Sequence, residues 1–134
     1  MYGRGTSIYR WYNELREVVT QEGLREAQRL VKTVKVSEAI KAYIVDLSRA
    51  TRQLDRIRVG LSLRGLLAMM KAAQAVAAME GRNYVIPDDV KEVIYDIGLH
   101  RLICKSYSTL TSYSKNREIL EQIIKKVSVP TELL

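Results

Sequence analysis

The spacing of apolar residues is the feature that most restricts the fold of this chain. Apolar residues recur three and four positions apart through almost its whole length, which places them on one face of successive α-helices. Only two prolines occur in 134 residues, Pro87 and Pro130, and neither interrupts an apolar pattern. The sequence therefore predicts a single all-α domain of five to seven helices, with at most a trace of strand near Tyr84 to Ile86.

The N-terminal half of the chain contains three predicted helices. The apolar face of the first consists of Ile8, Trp11, Tyr12, Leu15 and Val18. The second would bury Leu24, Ala27, Leu30, Val31 and Val34. The third begins after Ser37, whose hydroxyl suits a helix N-cap, and its buried stripe comprises Ile40, Tyr43, Ile44, Leu47, Thr51 and Leu54.

A fourth predicted helix follows the short connection from Asp55 to Gly60, where glycine would permit backbone angles that other residues resist. Ser62 is its N-cap and Gly81 its C-terminal stop. The helix is apolar on nearly every side and rich in alanine, so neighbouring backbones can approach it closely. We expect it to form the centre of the core, with Ala73 and Ala77 buried.

The last two predicted helices lie beyond Gly81. The fifth starts at Pro87, which suits a first helical turn, and Asp88 and Asp89 complement the helix dipole there. Its buried residues would be Val90, Val93, Ile94 and Ile97. After a loop from Ser106 to Ser114, the sixth would be capped by Ser114 and would bury Ile119, Leu120, Ile123, Ile124 and Val127.

The sequence lacks the residues that several kinds of functional site require. No phosphate-binding glycine loop of the G-x-x-x-x-G-K-[ST] type occurs, and the single histidine, His100, has no second histidine with which to hold a metal. One cysteine, Cys104, excludes an intramolecular disulfide and is interpreted as an inert core thiol in a reducing compartment. The longest apolar run, Leu66 to Met79, is too short to span a membrane. No catalytic activity and no metal site are expected from the chain alone.

The basic residues offer one candidate site. The net charge is +7, from 22 lysines and arginines against 15 acidic residues, which fits nucleic acid, nucleotide phosphate or an acidic partner. Between positions 49 and 64 the arginines are Arg49, Arg52, Arg56, Arg58 and Arg64. Arg64 would lie in the first turn of the fourth helix, where guanidinium and free backbone amides suit a phosphate. Surface arginines are as often merely solvated, so the chemistry alone leaves both interpretations open.

The order and spacing of several motifs resemble the C-terminal lid of MoxR-type AAA+ ATPases. The matching runs are Val36 to Arg52, Gly60 to Gly65, Ala75 to Ala78, Gly81 to Val90 and His100 to Leu102. The resemblance covers about residues 21–130 as the lid-like part of a single 1–134 domain, with residues 1–20 as an added N-terminal helix. It implies a compact orthogonal helical bundle that closes over ATP held, with Mg²⁺, by a separate P-loop core.

Within that family the arginine of a G-x-S-x-R motif is the second sensor, which reaches the terminal phosphates of the nucleotide. The matching residue here is Arg64, with Gly60 and Ser62 shaping its turn, and Arg49 and Arg52 are further candidates for phosphate or subunit contacts. Two positions depart from the family pattern. Leu63 replaces the usual proline, and a frequent threonine is replaced by Ile86, which costs a helix cap.

The resemblance also implies partners. These are the P-loop core, the neighbouring subunits of a ring oligomer and von Willebrand factor A proteins, in a cytoplasmic chaperone-like machine for assembly or metal insertion. Two other classes are considered. A basic helical nucleic-acid-binding module would need an exposed helix face of base-reading residues, and no predicted helix has one. A freestanding protein-interaction adaptor would have no P-loop partner.

Overall fold

The computed structural model describes residues 15–105 and 112–131. In this part of the chain five helices and two short strands follow one another. They are α1 (Gln21–Thr33), α2 (Glu38–Gln53), β1 (Ile57–Val59), α3 (Leu63–Met79), α4 (Pro87–Gly98), β2 (Ile103–Cys104) and α5 (Ser112–Lys126). The predicted all-α class is confirmed, and the second to sixth predicted helices correspond to α1–α5.

Hydroxyl caps define the starts of α2 and α3. The Oγ of Ser37 accepts a hydrogen bond from the Ile40 amide at 3.3 Å, and Ser62 does the same for Gly65 at 3.3 Å. Each bond satisfies an amide that the first turn leaves unpaired. Both predicted caps are therefore confirmed. The predicted cap at Ser114 is wrong, because α5 already begins at Ser112.

The end of α3 has the geometry expected from a terminal glycine. Gly81 has a φ of +71°, a conformation that side chains with a Cβ disfavour. Its amide donates to the Ala78 carbonyl at 3.0 Å, and the Arg82 amide donates to the Ala77 carbonyl at 2.8 Å. This pair of bonds is a Schellman motif, which turns the chain sharply towards α4.

Helix α3 packs against α1, α2 and α4 and supplies one face of the core. Its buried residues are Gly65, Met69, Ala73 and Ala77, and the last three are fully inaccessible. Although α3 is apolar on nearly every side, it is not buried all round, since Leu67 is 48% and Met79 78% exposed on the opposite face. The predicted central position and the burial of Ala73 and Ala77 are confirmed.

A small antiparallel sheet joins two parts of the chain that are distant in sequence. Ile57 pairs with Cys104 and Val59 with Ile103, with an irregularity between the two pairs. The segment from Asp55 to Gly60 was expected to be only a connection, and three residues are too few to reveal a strand by alternation. The expected trace of strand near Tyr84 is a single parallel bridge to Lys35.

The N-terminal expectations are partly wrong. Residues 15–20 contain no helix, and Leu15 and Val18 are 72% and 95% exposed. Ile8, Trp11 and Tyr12 lie outside the described residues. Helix α1 forms as predicted and packs along α3, but none of its residues is buried.

Candidate functional site

The connection between β1 and α3 is held against α2 by buried hydroxyls. The Oγ of Ser48 donates to the Leu61 carbonyl at 3.0 Å, and the Oγ1 of Thr51 accepts from the Leu61 amide at 3.0 Å. Leu61 is itself fully buried, as is Thr51, and Ser48 is 1% exposed. Both backbone polar groups of Leu61 are therefore satisfied away from water, which fixes the entry to α3.

Arg52 completes this attachment from the surface. Its Nη2 donates to the Leu61 carbonyl at 2.9 Å and to the Ser48 Oγ at 3.2 Å, and its Nε donates to the same carbonyl at 3.3 Å. Arg52 was a candidate phosphate or subunit contact. In this structure its guanidinium is directed to the backbone that precedes Arg64, so it positions the start of α3.

Gly60 is needed for a different reason from the one expected. Its φ is not positive, since Gly81 is the only described residue with a positive φ. A Cβ at position 60 would lie 2.6 Å from the Thr51 Oγ1 and 2.8 Å from the Arg52 Cγ. The expected role in special backbone angles is therefore wrong, and the close approach of the chain to α2 explains the glycine.

Arg64 follows this anchored turn as the second residue of α3. Its side chain is exposed, and it forms no ion pair or hydrogen bond with any residue in the described part of the chain. Leu63, which stands where the resemblance implies a proline, is 70% exposed and begins the helix. The N–H donors of the Arg64 guanidinium are therefore accessible from outside the domain.

Arg49 faces another part of the surface. Its Nη1 lies 3.4 Å from the Asp46 Oδ1, with both side chains more than half exposed. Together with Gln53 and Lys126 it lines a cleft between α2 and α5. The structure therefore brings Arg52 to the turn before Arg64 and directs Arg49 towards α5.

Sequence reasoning missed a strong ion pair near the start of α4. Asp89 is 3% exposed, and its carboxylate accepts two bonds from the Arg82 guanidinium and one from the Ile86 amide. The bond to Asp89 raises the pKa of Arg82 above its usual value. Ile86 has no side-chain cap, as the sequence indicated, and the Asp89 carboxylate serves its amide instead. Asp89 was interpreted only through the helix dipole, because its partner lies outside the helix.

The remaining residues considered for chemistry are Cys104 and His100. The Cys104 thiol is half-buried at the edge of the core and donates to the Asn116 Oδ1 at 3.1 Å. Asn116 is 2% exposed and donates to the Leu99 and Leu102 carbonyls. His100 is exposed at the end of α4.

Residues 15–105 and 112–131 contain no group of three potential metal ligands. No helix in these ranges has the length and apolar character needed to cross a membrane.

Comparison with known proteins identifies the family of this chain. Residues 49–123, more than half of the chain, match the sequence profile described as AAA lid domain. The chain belongs to the AAA lid domain family. The matched segment contains the anchored turn and Arg64 near its beginning and the core residues of α5 near its end.

Individual relatives refine this assignment. The chain is 35% identical over 118 residues to the uncharacterized protein YeaC of Bacillus subtilis, a match that covers 88% of this chain and 37% of YeaC. It is 28% identical over 126 residues to the chaperone MoxR1 of Mycobacterium tuberculosis, covering 87% and 33%. The chain thus spans about a third of the length of these curated relatives.

A solved structure agrees with the sequence relatives. A Cytophaga hutchinsonii protein assigned as an ATPase superposes with a TM-score of 0.75 at 27% identity, over 92% of this chain and 42% of that one. Together with the lid-domain match and MoxR1, it identifies the domain as the lid of a MoxR-type AAA+ ATPase. The five-helix lid is thus established independently of any role for its arginines.

Proposed function

We propose that this lid senses nucleotide through Arg64, which contacts the terminal phosphate of ATP held by a separate P-loop core. The observation that carries the proposal is an exposed guanidinium, unpaired among the described residues, on a turn that is anchored to α2 through both backbone polar groups of Leu61. Arginine binds phosphate oxygens through several N–H donors at once, which makes it sensitive to the presence of a γ-phosphate.

The anchoring of the turn supports this role. Contacts to a transferring phosphate are effective only when the contributing group is held in place before the reaction. Ser48, Thr51 and Arg52 together make five hydrogen bonds to or around Leu61, three residues before Arg64. Movement of the lid as a body would therefore carry the Arg64 backbone with it.

The core would supply the rest of the nucleotide site. In P-loop ATPases the phosphate loop and a Mg²⁺ ion bind the β- and γ-phosphates, which is the chemistry that no motif in this chain provides. We therefore expect the chain alone neither to hydrolyse ATP nor to bind it tightly. Calorimetric titration with MgATP tests this, and micromolar binding by the chain alone would contradict it.

The same proposal extends to the assembly in which the lid would act. The lid would act in a ring with neighbouring subunits, within a chaperone-like machine for assembly or metal insertion, and von Willebrand factor A proteins are proposed as partners. The relative from Mycobacterium tuberculosis is named a chaperone, which is consistent with this class. Cytoplasmic localisation remains a prediction.

The direct experiment is Arg64→Ala in an ATPase that joins this lid to a P-loop core. Loss of an arginine that stabilises a transferring phosphate slows hydrolysis by factors of about a thousand or more. Because Arg64 is exposed and unpaired in the described part of the chain, the melting temperature should stay within about 1 °C of the original. Lys71→Ala, another exposed cation on α3, is the matched control and should leave hydrolysis unchanged.

Two results would count against the sensor role. One is unchanged hydrolysis by Arg64→Ala. The other is an equal loss of stability and activity, which would mean that Arg64 serves the fold rather than the nucleotide.

A further inference from the structure

The two half-buried arginines of the described residues have very different surroundings. These are Arg82 and Arg101. Arg82 has a complete set of acceptors, with two bonds to Asp89 and one to the Tyr84 carbonyl. Arg101 forms no side-chain hydrogen bond and no ion pair with any described residue, and its Nε is buried without an acceptor.

The side chain of Arg101 lies against the start of α3, the helix that carries Arg64. Arg101 lies just after α4, where its amide donates to the Gly98 carbonyl at 3.0 Å. Its Cδ lies 3.6 Å from the point that a Cβ on Gly65 would occupy. Nε is bonded directly to this Cδ, so the guanidinium begins at the residue that follows Arg64 in the chain.

The Arg101 guanidinium lacks the hydrogen-bond acceptors that a purely structural arginine normally has. Buried polar groups in folded proteins are almost always hydrogen-bonded, and a buried donor without an acceptor calls for an explanation. Arg82 illustrates the usual arrangement, in which a carboxylate compensates the charge. At Gly65 the stem of Arg101 covers the helix, while its donors have no acceptor in the described part of the chain.

We propose that Arg101 is a second phosphate-binding arginine, which contacts the same anionic group as Arg64 when the lid closes on nucleotide. This inference rests on the proposed function and extends it to a residue far along the chain. The oxygens of a γ-phosphate supply acceptors for the terminal Nη donors of Arg101, which are accessible, whereas Nε is covered by the protein. Arg64 and Arg101 are two guanidiniums at the start of α3 without acceptors in the described part of the chain, and together they match a group that carries more than one negative charge.

The test compares two nucleotides in the intact ATPase, with this lid joined to its P-loop core. Arg101→Met keeps the straight apolar stem over Gly65 and removes the guanidinium. The affinity for MgATPγS should fall about tenfold or more, because a charged hydrogen bond is lost. The affinity for MgADP should stay within about twofold, and the melting temperature of the 134-residue chain should not fall.

Arg101→Lys provides the conservative comparison. It keeps a positive charge but lacks the fork of N–H donors, so it should recover part of the MgATPγS affinity. Equal weakening of both nucleotides, together with a lower melting temperature, would show that Arg101 only covers the helix. Unchanged affinity for both nucleotides would equally overturn the proposal.

Arg64→Met, measured alongside, separates this inference from the proposed function. If Arg64→Met weakens the binding of MgATPγS and Arg101→Met does not, the role proposed for Arg101 is wrong and the sensor role of Arg64 stands. If only Arg101→Met weakens the binding of MgATPγS, the sensor role of Arg64 is wrong and the phosphate-binding role of Arg101 stands. If both weaken it and the double variant is little worse than either, the two arginines bind one group.

Discussion

The Arg82 guanidinium holds the Asp89 carboxylate at two points, with Nη2–Oδ1 at 2.6 Å and Nη1–Oδ2 at 2.8 Å. Asp89 is almost fully buried at the start of α4, whereas Arg82 follows the Schellman turn that ends α3. The pair therefore joins the end of one helix to the start of the next. Because the same carboxylate accepts the Ile86 amide, it also replaces the missing side-chain cap.

Arg82→Met should destabilise the domain by about 2–4 kcal/mol, because it leaves a buried carboxylate without its counter-ion. Urea unfolding of the chain measures the change. Arg49→Met is the control, since its pair with Asp46 is exposed and should contribute no more than about 0.5 kcal/mol. Similar losses in the two variants would mean that the burial of Asp89 does not determine the strength of its pair.

Gly60→Ala should destabilise the domain by about 1–3 kcal/mol, because its Cβ would overlap Thr51 and the Arg52 side chain. Gly65→Ala is the matched control in the same junction. A Cβ there meets Leu61 and Arg101 at 3.6 Å, an ordinary contact, and alanine favours the helix by about 0.5–1 kcal/mol. The melting temperature of Gly60→Ala should be lower than that of the original, whereas that of Gly65→Ala should be unchanged or higher. The reverse order would refute the close-approach argument.

Tyr43→Phe should change the alkaline stability of the domain. Burial raises the pKa of Tyr43 above its usual value, and its hydroxyl has no hydrogen-bond partner among the described residues. A raised pKa means that the protonated tyrosine supports folding below about pH 10 and that this support is lost as pH rises further. The phenylalanine variant should therefore be as stable as the original near neutrality and lose less stability above about pH 10.

Unfolding measured at a series of pH values tests the Tyr43 prediction. Some alkaline loss should persist in the phenylalanine variant, because the bond to Asp88 also raises the pKa of Lys91. Identical pH profiles for the two proteins would show that Tyr43 ionises in the folded domain as easily as in the unfolded chain.

Ala77→Arg should unfold the domain, because residue 77 is fully inaccessible and a buried guanidinium would have neither space nor partner there. Met79→Arg, two residues further along α3, should fold normally because Met79 is 78% exposed. Far-ultraviolet circular dichroism and melting distinguish the two variants. A folded Ala77→Arg protein would mean that the packing of α3 is wrong.

Local signals in the sequence determined most of the helical framework. Ser37 and Ser62 cap helices with hydroxyls that reach amides three residues ahead, and Gly81 stops α3 through its own backbone conformation. These interactions involve neighbours in the chain, so a linear pattern contains them. The candidate Arg64 also depends on a local motif, and its position one residue inside α3 was predictable for that reason.

Contacts between distant segments were decided only by the tertiary structure. The pairing of Ile57 with Cys104 joins strands too short for any periodicity. Nothing in the sequence distinguished Arg52, which attaches to the backbone of Leu61, from Arg101, which meets Gly65 without a counter-ion. An arginine has the same charge and donors in either setting. Its role is set by the acceptors that folding brings within about 3 Å, and the order of residues along the chain does not record them.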